Sequence, residues 1–134
     1  MAYLLDTNIV TAFLKQNSQV ITKYDTVRLE GSAIYISGIT YYEIERGLLA
    51  IDATRKLEEF YMFCTKIQIL MINDIAIIKK ASEIYAHLKK TGKIIQDTDI
   101  GIAATAIVHN LILVSNDSDL TRIEELTLEN WLYP

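Results

Sequence analysis

The sequence predicts an α/β fold: a three-layer α/β/α sandwich built on a central parallel sheet of about five strands. Two observations lead there. Short apolar runs recur at 3–6, 33–37, 67–72, 111–115 and 126–130. Helical stretches separate them, and strands joined through helices pair in parallel with both sheet faces covered. A third observation sets the scale. The chain has 134 residues, 51% of them hydrophobic, enough for one domain with a sizeable core and too apolar for a disordered segment.

Taken in order, YLLD reads as a first strand and 8–15 as a helix. Asn17-Ser18 breaks it before a second helix over about 18–29. AIYIS alternates and is β-branched, so 33–37 is a strand, punctuated by Gly38. Helices follow over 40–49 and 53–65, with Asp52 expected to cap the second. IQILMI is the third strand. From Asp74 to Thr91 the residues Ile77, Ala81, Ile84, Tyr85 and Leu88 keep helical spacing, and Gly92 suits the C-terminal end. A helix rich in small residues spans 98–109, LILVS is the fourth strand, 119–123 a short helix, and LTLEN a short last strand.

The only proline is the last residue, and no Gly/Ser-rich linker or repeat divides the chain. A single domain over 1–134 is expected. No apolar run is long enough for a transmembrane helix. The start, MAYLLDTN, has no basic n-region or cleavage site, so secretion is not signalled. The lone Cys64 cannot form an internal disulfide, which fits a reducing cytoplasm, and it reads as a small core residue. The net charge of −4 argues against a sequence-reading DNA protein and leaves a nuclease open.

Chemistry enters through four acids at the edges of apolar segments: Asp6, Glu43, Asp99 and Asp117. In parallel sheets ligands bind beyond the carboxyl ends of the strands, where strand order switches. Asp6 ends the first strand and Asp117 follows the fourth, so neighbouring strands would bring the two together. Glu43 lies early in the helix after the second strand, and Asp99 opens the helix before the fourth. Converging carboxylates resist ionising together, and divalent cations supply the missing positive charge. Each acid also has a structural reading. Asp6 suits a helix cap, and Glu43 has Arg46 and Gly47 on its own helix face. Gly47 is costly inside a helix and reads as a place of close approach, with Arg46 a candidate for meeting a substrate phosphate. Asp97 and Asp99 both suit a helix start; Asp99 is assigned to the metal and Asp97 to capping or support. Asp117 is a better ligand candidate than Asp119, which is expected to cap the short helix. Neither His87 nor His109 has a zinc-ligand neighbour. No G-x-S-x-G motif and no P-loop is present. The lysines at 79, 80, 89, 90 and 93 read as a solvated face.

The whole chain resembles the PIN-domain ribonucleases, most closely the VapC toxins of type II toxin–antitoxin systems. The resemblance is carried by LLDTN, SGITYYEIERGL, DTDIGIAATA and VSNDSDL in that order, and extends to LENW. It implies that Asp6, Glu43, Asp99 and Asp117 are catalytic, with Asp6, Asp99 and Asp117 on Mg²⁺ or Mn²⁺. Asn8, Ser115 and Asp119 fall on supporting positions. Ser115 stands where threonine is common and Leu120 where phenylalanine is common. The implied reaction is metal-dependent hydrolysis of RNA phosphodiesters, leaving 5′-phosphate and 3′-hydroxyl ends. A VapB-type antitoxin and a homodimer are implied as partners. The alternatives are a PIN nuclease processing RNA or DNA outside a toxin–antitoxin system, and a non-catalytic PIN binding module. A haloacid-type phosphatase would need Asp-x-Asp, and position 8 is asparagine.

Overall fold

In the computed structural model, which describes residues 1–133, five parallel strands form one sheet. They are β1 (Ala2–Leu5), β2 (Ala33–Ser37), β3 (Gln68–Leu70), β4 (Ile112–Val114) and β5 (Leu128–Glu129). Their order across the sheet is β3-β2-β1-β4-β5, so β1 is central, between β2 and β4. Six α-helices connect them: α1 (Thr7–Leu14), α2 (Ser18–Leu29), α3 (Gly38–Ala50), α4 (Thr54–Cys64), α5 (Ile75–Lys90) and α6 (Asp97–Val108). A 3₁₀ helix covers Ser118–Arg122.

Alternation along β1 separates the two cores, because successive side chains leave a strand on opposite faces. Tyr3 and Leu5 point into a core with Ile9 and Val10 of α1, Val20 and Tyr24 of α2, Ile44 of α3 and Phe60 and Phe63 of α4. Leu4 points the other way, to Ile77, Ile84 and Leu88 of α5 and the buried run Ile100–Ala106 of α6. The expected three layers are therefore present. Trp131, 2% exposed, closes the first core against Tyr3, the rings 5.5 Å apart. No helix among the described residues is long and apolar enough to cross a membrane.

The small residues of α6 have a direct packing reason. A Cβ on Gly101 would stand 2.7 Å from Ile39 Cδ1, so the glycine lets α6 lie close against the start of α3, and a larger residue there would make the Ile39 side chain shift. Gly92 has a φ of +70°, and the N–H of Lys93 returns to the carbonyl of Leu88, which closes α5 in a Schellman turn.

Several expectations are corrected. Asp52 does not cap α4. It has a φ of +52° and closes α3: its N–H reaches Leu49 O, and the N–H of Ala53 reaches Leu48 O. Ala53 then occupies the N-cap without a side-chain bond. Tyr85 keeps helical spacing but is 40% exposed, outside the strip that faces α6. Cys64 is only half-buried, at the edge of the first core. Nothing in the protein approaches Gly47: a Cβ there would meet no atom within 4 Å. Gly47→Ala is therefore expected to stabilise the protein by about 0.5–1 kcal/mol. A rise in the urea midpoint at unchanged slope would register it.

Candidate active site

Strand order reverses at β1, and the crevice beyond its carboxyl end is where such sheets accept ligands. Asp6 stands there as the N-cap of α1, its N–H bonded to Val114 O at the end of β4, 2.9 Å away. Its side chain is 3% exposed and fully engaged. Oδ1 accepts the N–H of Thr7 at 2.8 Å, and Oδ2 accepts the Ser115 hydroxyl at 2.7 Å and Asn8 Nδ2 at 3.3 Å. Asn8 Oδ1 in turn accepts the N–H of Asn116 at 3.0 Å, and Ser115 Oγ accepts that of Asp117. Asp6 is thus both a cap and the hub that ties the end of β1 to the end of β4.

Glu43 is held from α1. The Thr7 hydroxyl donates to its Oε1 at 2.7 Å, and the fully buried Thr40 hydroxyl lies 3.2 Å from that of Thr7. Thr40 precedes Glu43 by three residues and so shares its helix face. Sequence reasoning missed Thr7 and Thr40. Position offers the signal: one adjoins Asp6, the other sits one turn from Glu43. Arg46, on the same helix face, does not pair with Glu43. Arg46 folds back over the Tyr42 ring, 4.9 Å from its centre, and donates to the Tyr42 hydroxyl.

Asp99 is the third residue of α6, and its acid neighbour Asp97 is the first. Of the two roles expected of Asp97, capping or support, it does not take the first: the N-cap is Gln96, with no side-chain bond. At the next turn the cap expected of Asp119 is made by Asp117 instead. Asp117 caps the 3₁₀ helix, accepting the N–H of Asp119 at 2.9 Å, while Asp119 lies inside it and pairs with Arg122 at 3.3 Å.

The acids sense one another. Burial raises the pKa of Asp6, and the charges of Glu43 and Asp117 raise it further, against the lowering effect of the Ser115 and Thr7 bonds. Asp99 is pushed up to about 6, by burial first, then by Asp6, Asp117, Glu43 and Asp119. The Cys64 thiol is pushed up to about 11 by burial and by Glu45, the opposite of what a nucleophile needs.

Among the described residues, no three acidic, histidine or cysteine side chains are drawn close enough together to enclose an ion as they stand. The donor set nonetheless fits one kind of ion. Every donor is a carboxylate or hydroxyl oxygen, the set that hard divalent cations such as Mg²⁺ and Mn²⁺ take. The charged form of Asp99 is disfavoured by the other acids, a cost that a cation would reverse.

Ser115 gives the hub its most direct test. Ser115→Ala removes a donor to a buried carboxylate and the acceptor for the Asp117 N–H. It should cost about 1–3 kcal/mol. Ser115→Thr keeps the hydroxyl and should restore most of that, as melting curves of the two variants would show.

A family model, described as PIN domain, matches residues 3–126. A protein named Ribonuclease VapC2 from Haemophilus influenzae is 31% identical, covering 98% of this chain and 99% of its own. Ribonuclease VapC1 from the same species is 26% identical over 98% of both chains. Among solved structures, VapBC2 from Rickettsia felis, bound to a DNA fragment from its promoter, superposes with a TM-score of 0.90 at 27% identity, covering 98% of this chain and 99% of that one. VapBC-1 from nontypeable Haemophilus influenzae superposes with a TM-score of 0.83 at 26% identity over 98% of both.

Proposed function

The chain belongs to the PIN-domain family, and from that premise we propose that it is a divalent-metal-dependent endoribonuclease, the toxin of a VapBC-type toxin–antitoxin pair. The supporting observation is that four acids lie within electrostatic reach of one another at the strand-order switch, where Asp6 and Asp99 are both raised by burial and by the charges of other acids in the set. All four carboxylates of the family pattern are present, which argues against a binding module that has lost catalysis.

Asp6, Asp99 and Asp117 would hold Mg²⁺ or Mn²⁺. A divalent cation, when bound, supplies the positive charge that acidifies water and offsets charge growing on the scissile phosphate. The protein's own part is orientation. Ser115, Asn8 and the Thr7 N–H fix Asp6 in one orientation, so that this carboxylate is positioned before the substrate arrives. Thr7 occupies one oxygen of Glu43, leaving the other to accept a hydrogen bond from the attacking water. No side chain forms a covalent intermediate.

The substrate is RNA, the inhibitory partner a VapB-type antitoxin, and the working form a homodimer. Expressing this chain alone should arrest growth, and co-expression of its adjacent small partner should restore it. Growth unaffected by the soluble, intact chain would rule out the toxin role.

A further inference from the structure

Beside Glu43 an open cleft of about 380 Å³ runs between α1 and α3. It shares Thr7 and Glu43 with the acid cluster, so whatever lies in it continues directly from the reacting centre. Its floor is apolar, made by Leu14, Ile44 and Leu48, with Ile51 at its edge, 71% exposed. Lys15 and Lys56 also line it, both exposed and neither in an ion pair among the described residues. Gly47 also lines it, with open space where a side chain would stand.

We propose that this cleft is a binding site for the nucleotide adjoining the scissile phosphate of a single-stranded RNA, its base on the apolar floor and its backbone phosphate on Lys15 and Lys56. The inference rests on the ribonuclease reading and adds a subsite to it.

Three observations carry it. A polyanion brought up to four carboxylates is repelled, so cations must stand nearby to hold it. Arg46 is turned onto Tyr42, whereas Lys15 and Lys56 line the cleft with their charges unpaired. An apolar floor beside cations is what an unstacked base and its phosphate require, and only a single strand offers a base that way. Finally, a side chain at position 47 would project into the space the base needs, which gives the mid-helix glycine the purpose that internal packing does not.

The test compares Lys15→Gln, Lys56→Gln and Ile51→Ser with the unaltered chain. All three positions are exposed, so folding is not at risk. Lys23→Gln, which does not line the cleft, controls for loss of charge. Cleavage of a single-stranded oligoribonucleotide with Mn²⁺ gives KM, kcat and cut position. Fluorescence anisotropy of the same RNA, with Asp99→Asn in every chain, gives binding without cleavage. Each lysine change should weaken binding by up to about fivefold and flatten the slope of log affinity against log salt by about 0.7. It should raise KM by a larger factor than it lowers kcat. Ile51→Ser should shift the base preference beside the cut. If the lysine variants bind, cut and respond to salt like the Lys23→Gln control, the proposal is overturned. The ribonuclease reading then stands and the cleft belongs to a protein segment. If the unaltered chain cuts nothing while the lysine variants lose RNA binding, the cleft is upheld and the ribonuclease reading falls.

Discussion

Asp99→Asn should lower RNA cleavage by on the order of a hundredfold to a thousandfold while making the metal-free protein more stable at neutral pH. The two effects share one cause. The folded pKa of Asp99 is about 6, against an ordinary value of 3.8. Between these values the folded chain binds more protons than the unfolded one, so stability falls as pH rises. The favourable contribution is complete below about pH 4 and lost as pH climbs through 6. At pH 7.5 in chelator the ionised group therefore weighs against folding, and the neutral amide removes that weight. The side chain is only half-buried, so solvent screening keeps the gain small. Melting curves at pH 7.5 and pH 4, both without metal, should show a higher Tm for Asp99→Asn at the first and none at the second. Asp6→Asn should silence cleavage equally but behave differently in melting. Whichever way its amide turned, the nitrogen would face donors that now serve a carboxylate oxygen: the Thr7 N–H on one side, the Ser115 hydroxyl and Asn8 Nδ2 on the other. One variant stabilised and the other destabilised, both inactive, is the expected pattern. Wild-type rates from either would remove that residue from the reacting site.

The sheet was readable from the sequence because each strand is a short apolar run and helical stretches separate successive strands. AIYIS and the helix after Asn17 were placed to the residue. The reversal of strand order at β1 was not readable, yet it decides the site. It puts Asp6 beside Ser115, residues 109 apart in the chain, at hydrogen-bonding distance. The misplaced caps share a cause. Asp can start a helix, end one in the left-handed region, or stand one residue inside, and local sequence favours all three at Asp52, Asp97 and Asp119. Which occurs depends on where the preceding element stops. Asp52 ends α3 because the N–H of Ala53 reaches back to Leu48, a choice made by α3's packing rather than by residue 52. Thr7 and Thr40 were missed for a related reason. A threonine beside an acid carries no signal of its own until α1 and α3 are seen to meet.

Withdrawing metal should abolish cleavage altogether, and either Mn²⁺ or Mg²⁺ should restore it. Among the described residues no histidine or thiol stands with the four acids: the one thiol, Cys64, is pushed up to about 11, and the nearby Arg122 is paired with Asp119. Lys15 and Lys56 line the cleft for the adjoining nucleotide, so the positive charge at the scissile phosphodiester itself is left to a cation. The pH dependence follows from the same geometry. Because Asp99 takes up a proton near pH 6, ion and proton compete for it. Metal affinity should therefore fall as pH drops through 6, and binding at pH 6 should release protons. Calorimetric titration of Mn²⁺ in two buffers of different ionisation enthalpy measures that release directly. In Asp99→Asn the release should shrink and the pH dependence of affinity should flatten. Cleavage that continues undiminished in excess chelator would defeat the metal-dependent reading. Binding that releases no protons at pH 6 would instead place the ion away from Asp99.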